Sequence, residues 1–234
     1  MEPTLLIKSL LSCLEDRDIA ACLIGEIALN FYGVPRVVHN IEICVPESSL
    51  SEAVSTLCFA AEFEEVEMDD YDLFTEYKRG FPTLKAPGSS LQLVVFPDSH
   101  FGLSNLADHI LPPEERLSST RGDQILDLVP REDIQHLPVP RLSPFFTGLC
   151  SRYFDLNDCM ARIAVEQLVD GMDLDDSWVQ TNLIGEMPRV QELASQLVAE
   201  KAFRCNEELI VEVPYPGLGD AMMEDLTIVP GSGF

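Results

Sequence analysis

The sequence predicts an α/β fold, a mixed α+β sheet with flanking helices followed by a run of further helices. Three observations carry this. A short apolar run, Ile19 to Ile24, stops at Gly25 and gives way to helical spacing from Glu26 to Tyr32. Two segments then read as strands: Val38 to Val45 alternates, and Leu91 to Phe96 is apolar on both faces. From Pro144 onward the apolar residues recur at helical spacing.

In chain order, Leu5 to Leu14 has an apolar face at helical spacing and opens the fold as a helix. Gly33, Val34 and Pro35 end the second helix. On the strand that follows, His39, Ile41, Ile43 and Val45 share one face, and Asn40, Glu42 and Cys44 share the other. Glu47 to Phe59 starts with acidic and hydroxyl residues suited to a helix start and should cover the sheet. Glu62 to Asp72 is dense in acid and reads as a solvated strand or turn. Leu91 to Phe96 should be a central strand, with Gln92, Val94 and Phe96 on one face.

Between Pro97 and Pro144 the chain is a long connection with short elements such as Gln124 to Val129. Helices are expected over Pro144 to Phe154, Asn157 to Val169, Asp175 to Leu183 and Pro188 to Phe203. Asp175 or Asp176 is placed to cap the third of these. Met160, Ile163, Ala164, Gln167 and Leu168 form a packing stripe on the second. The expected organisation is an α/β domain over 1–143, a helical segment over 144–212 and an irregular tail over 213–234.

The order Gly25, Tyr32-Gly33, Arg36, Asn40-x-Glu42 and Val45-Pro46 resembles the minimal nucleotidyltransferase superfamily. The likeness is clear over residues 20 to 60 and extends weakly to Phe96. Farther on, Val139 to Leu142 and Glu166 to Trp178 are similar to C-terminal segments of uncharacterised fungal members. The resemblance implies a mixed sheet, two metal ions held by three carboxylates, and transfer of a nucleotide to an acceptor.

This chain departs from that pattern at the charged positions. Asn40 stands for the first acid, Glu42 for the second, Gln92 for the third, and Glu26 for the small residue beside the phosphates. Clustered carboxylates are what hold the cations in two-metal chemistry. One carboxylate and two amides make a poor cage, so no metal ligands are assigned. Glu26, at a helix start, would further oppose a triphosphate. The resemblance places Gly25, Glu26, Tyr32 and Arg36 beside the substrate. Lys78 and Lys85 join them because three of the fifteen cations fall within eight residues ahead of the Gln92 strand. Paired surface charge is the plainer reading of these two lysines.

Among the 234 residues, 40 Asp and Glu against 15 Lys and Arg give a formal charge of −25. That balance argues against a nucleic-acid partner, since phosphate contacts draw on Lys and Arg. Seven cysteines without C-x-x-C spacing point to free thiols rather than a disulfide framework or zinc site. Cys44 shares the face of Asn40 and Glu42, so it is the one to consider as a nucleophile. His100, His109 and His136 lack the spacing of a helical metal pair. The acidic N-terminus does not read as an export signal and no apolar run reaches about twenty residues, so a cytoplasmic protein is expected.

Three functions from different classes fit these readings. In the first, the fold has lost metal-dependent transfer and uses its cleft for another small-molecule reaction. Glu42 is then the general acid or base, and Asn40, Gln92 and Arg36 orient the substrate or stabilise charge. In the second, the protein is a true nucleotidyltransferase for a small molecule, with Mg2+ as cofactor and acids such as Asp69, Asp70 or Glu26 completing the site. In the third, it binds or scaffolds without catalysis. The sequence sets no oligomeric state.

Overall fold

The computed structural model describes residues 3–61, 63–67, 71–86, 88–89, 91–116, 133 and 136–206. Its centre is a five-stranded mixed sheet of order β1-β2-β5-β4-β3. The strands are β1 (Cys22–Leu23), β2 (Asn40–Val45), β3 (Glu64–Val66), β4 (Thr83–Lys85) and β5 (Gln92–Pro97). Only the β2–β5 pair is parallel, with Asn40 opposite Gln92 and Glu42 opposite Val94. The central strand β5 is apolar on both faces because, like β2, it is covered on both sides.

Helices α1 (Pro3–Glu15) and α3 (Leu50–Ala60) pack on each other, and α3 packs on β5. Helix α2 (Gly25–Phe31) links β1 to β2 and buries Ile27, Ala28, Leu29, Asn30 and Phe31. Short helices α4 (Leu106–His109) and α5 (Pro113–Arg116) follow the sheet. The chain then builds α6 (Leu142–Leu156), α7 (Cys159–Gly171), α8 (Asp176–Asn182) and α9 (Pro188–Asn206). One hydrophobic cluster runs from Leu6 and Leu10 of α1 through Ile43 and Phe96 to Phe146, Leu168 and Leu197 of the C-terminal helices.

Strands β2 and β5 and the C-terminal helices form close to where the sequence puts them, while β4 and the short helices α4 and α5 were not expected. Asp158 accepts from the backbone N–H of Met160 and Ala161, so α7 begins at Cys159 rather than Asn157. That start turns Ala161, Ala164, Val165 and Leu168 inward. Of the expected stripe, Ala164 and Leu168 are buried, Met160 and Gln167 are half-buried, and Ile163 is exposed. Asp175 does cap α8, accepting from Trp178 N at 2.8 Å. In the long connection, a 3-10 turn at Asp98–Phe101 carries Phe101 against α6. Gly148 is needed at that crossing, since a Cβ there would fall 1.9 Å from the Phe101 carbonyl oxygen. The predicted element at Gln124 to Val129 and the 213–234 tail lie outside the described residues. Among the described residues no helix is long and apolar enough to cross a membrane.

Candidate functional site

Alternation on β2 sends Asn40 and Glu42 to the face that β5 continues through Gln92, Val94 and Phe96. Over that face lies the segment from Asp72 to Phe81. Asp72 Oδ1 accepts from the N–H of Phe74 and Thr75 and from the Thr75 hydroxyl, which closes a turn. The Thr75 hydroxyl, with those backbone donors, holds the Asp72 carboxyl below its ordinary value. The 3-10 turn Glu76–Lys78 then presents Tyr77 and Lys78 to the sheet. Tyr77 stacks on Phe96 with ring centroids 6.1 Å apart.

Glu42 is 1% exposed and Lys78 is 3% exposed. The Lys78 ammonium lies 2.9 Å from Glu42 Oε1, and the Tyr77 hydroxyl donates to the same oxygen at 2.6 Å. With its amide oriented to suit both neighbours, Asn40 accepts from Lys78 Nζ at 2.9 Å and donates to the His39 carbonyl at 3.1 Å. The lysine is thus bound by both residues of the Asn40-x-Glu42 pair. Burial, then the Glu42 charge, pushes the Tyr77 hydroxyl well above its ordinary value, so Tyr77 stays a donor.

Glu42 Oε2 is buried with no hydrogen-bond partner among the described residues. It rests against Gly25, which has φ +60°, and a Cβ there would fall 2.0 Å from it. Only glycine meets both the left-handed backbone and that approach. The room next to the first strand is filled by the protein's own carboxylate.

A cavity of about 760 Å³ opens from this cluster. Leu29 of α2, Phe101, Phe145 and Leu149 of α6, and Met160, Ala161 and Ala164 of α7 give it an apolar wall. Arg36, Lys78 and Arg152 line it together with Glu26, Glu42 and Asp72. Three Lys and Arg against three Asp and Glu balance in the lining, in a chain whose formal charge is −25.

Arg152 is 5% exposed, ion-paired to Asp158, and lies over the rings of Tyr77 and Phe101 at 4.6 Å from each centroid. Glu26 is bound by residue 39: Oε2 accepts from the His39 backbone N–H at 2.6 Å, and Oε1 lies 2.8 Å from its ring Nδ1. Arg36 is held at its backbone by Asn30, which donates to the Arg36 carbonyl at 2.9 Å and accepts from its N–H at 2.7 Å.

Of the residues singled out from the sequence, Gly25, Glu26, Arg36, Asn40, Glu42 and Lys78 meet around the cavity. Tyr32 does not: it is fully buried in the core, and its hydroxyl donates to the Pro140 carbonyl at 2.5 Å. Gln92 sits beside Asn40 in register but is not part of the lining, and Lys85 pairs with Gln92 across β4 and β5 with its side chain exposed. Lys78 is not paired surface charge but a buried partner of Glu42. Cys44 is fully buried opposite Cys22 and outside the lining. Burial pushes the Cys22 thiol well up, with Cys44 adding to it. Tyr77 and Gln167 were missed as site residues, since the one gave no local signal and the other read as packing.

The donor set does not fit the two divalent ions that the resemblance implies. Lys78 already occupies Glu42 Oε1 and the Asn40 amide oxygen. Among the described residues no cluster of three or more His, Cys, Asp or Glu could hold a metal ion. Asp69 and Asp70 lie outside the described residues, and Glu26 is engaged by His39.

No protein-family model matches the chain, and no curated protein matches it. Among solved structures, it is similar to the solution structure of the antibiotic-resistance factor ANT(2'')-Ia. The two share 11% identity over 86% of this chain and 93% of that one, with a TM-score of 0.44.

Proposed function

We propose that this is a protein of nucleotidyltransferase-like fold whose cleft has lost metal-dependent nucleotidyl transfer and serves another reaction on a small molecule. The observation that carries this is the Lys78 ammonium, bound by Glu42 at 2.9 Å and by the Asn40 amide where the resemblance puts metal ligands. A fixed monovalent cation replaces the charge that carboxylates would recruit from solution. The cavity volume of about 760 Å³ lies in the range of small-molecule sites.

In this reading Glu42 is the acid or base. Lys78 and Tyr77 hold Oε1, which leaves Oε2 as the oxygen able to take a proton. A buried carboxylate oxygen without a partner is costly, and a proton or a donor group brought by the substrate relieves that cost. Asn40 and Lys78 fix the carboxylate, and Tyr77 keeps a hydroxyl beside it at the cavity wall. Gln92, next to Asn40 on the neighbouring strand, supports this end of the sheet face rather than the cavity wall.

Thermal unfolding against the four nucleoside triphosphates, each with and without Mg2+ or Mn2+, tests the proposal. The expected result is no metal-dependent rise in Tm. A metal-dependent rise with any triphosphate, lost in Glu42→Gln, would restore a transferase.

A further inference from the structure

Arg36 is the cavity cation that differs from the other two. Lys78 is matched by Glu42 and Arg152 by Asp158, but Arg36 has no acidic partner among the described residues. Its Nη2 donates to Gln167 Oε1 at 2.5 Å, and among the described residues its Nε is buried without a partner and no hydrogen bond engages Nη1. The guanidinium is nevertheless fixed, through Gln167 on α7 at one end and through the two Asn30 hydrogen bonds to its backbone at the other. A positioned, uncompensated guanidinium with spare donors, at the wall of a chiefly apolar cavity, is a binding group for a planar anion. In the rest of the lining Lys78 and Arg152 stand against Glu26, Glu42 and Asp72, so Arg36 is the one lining cation without an ion-pair partner among the described residues, which matches one negative group rather than a chain of phosphates.

We propose that the ligand of this cavity is a largely apolar molecule carrying one carboxylate, which binds the Arg36 guanidinium while its body packs against Leu29, Phe145, Leu149 and Met160. This rests on the reading that the cleft takes a small molecule, and it narrows the class of that molecule.

The test compares naphthaleneacetate with its uncharged isostere naphthaleneacetamide, by thermal shift and titration calorimetry, on the wild type, Arg36→Gln and Gln167→Glu. The second variant leaves Arg36 in place and gives it an internal carboxylate, so it remains informative if Arg36→Gln folds poorly. The wild type should prefer the acid by about tenfold or more, the scale of a charge-assisted hydrogen bond. Both variants should lose that preference while keeping their affinity for the amide. Equal binding of acid and amide, a preference that survives in the folded variants, or binding of neither probe would overturn the proposal. Failure of the underlying reading would show separately, as metal-dependent stabilisation by a triphosphate.

Discussion

Lys78 Nζ lies 2.9 Å from Glu42 Oε1, joining a 3-10 turn to the central sheet through an ion pair almost wholly removed from water. The pair also decides what the cleft can hold. Removing one partner leaves an uncompensated charge at a depth where water cannot compensate it. Lys78→Met should therefore destabilise the fold by roughly 3–5 kcal/mol, whereas Lys78→Met with Glu42→Gln should recover much of that loss. Urea unfolding of the two variants measures the difference. Equal destabilisation by both would mean that the loss comes from packing rather than charge.

Gly25 is fixed by two requirements, its φ of +60° and the Glu42 carboxylate against it. Gly25→Ala should cost at least about 1–2 kcal/mol from the left-handed backbone alone, with the clash on Oε2 in addition. In a Glu42→Ala background, which carries its own cost from the unpaired Lys78, Gly25→Ala should lose the clash component and keep the backbone cost. A double-mutant cycle in chemical denaturation reads that coupling.

Asp158 does two jobs, capping α7 and pairing with buried Arg152. Asp158→Ala should cost roughly 3–5 kcal/mol, since it orphans a buried guanidinium as well as a helix end. Asp158→Asn keeps the cap and should fall between that variant and the wild type. If Asn and Ala prove equally destabilising, the cap contributes nothing here.

His100 stacks on Phe96 and lies tilted against Phe81, with ring centroids 5.5 and 4.6 Å away. Burial, with the nearby Arg152 charge, lowers its pKa from 6.5 to about 4. The folded protein thus holds this ring neutral where the unfolded chain would protonate it. Its stabilising contribution is complete above pH 6.5 and is lost as the pH falls toward about 4. His100→Gln should flatten the stability curve in that window and leave the slope above pH 7 unchanged. An identical slope in wild type and variant between pH 6.5 and 4 would contradict this.

Strands β2 and β5 were legible in the sequence because each carries its own signal, whereas the three-residue β4 carries none. Alternation in 38–45 set the common face of Asn40 and Glu42, and the apolar run of 91–96 marked the central strand. The cavity was legible only on that side. Its far wall comes from α6 and α7, which lie far along the chain from β2 and reach the cavity through tertiary packing that leaves no local pattern. Lys78 stood out as a rare cation, but its pairing with a residue 36 positions earlier is a tertiary contact with no local pattern. Tyr32 showed the converse, a residue marked by the resemblance whose hydroxyl is spent on the Pro140 carbonyl.

On the proposed reading the Lys78 ammonium, 2.9 Å from Glu42 Oε1, holds the place of a divalent ion. Titration calorimetry of Mn2+, with and without ATP, into the wild type and into Glu42→Gln tests it most directly. No binding heat attributable to Glu42 is expected, so the two proteins should give the same trace. A saturable Mn2+ isotherm in the wild type that disappears in Glu42→Gln would contradict it.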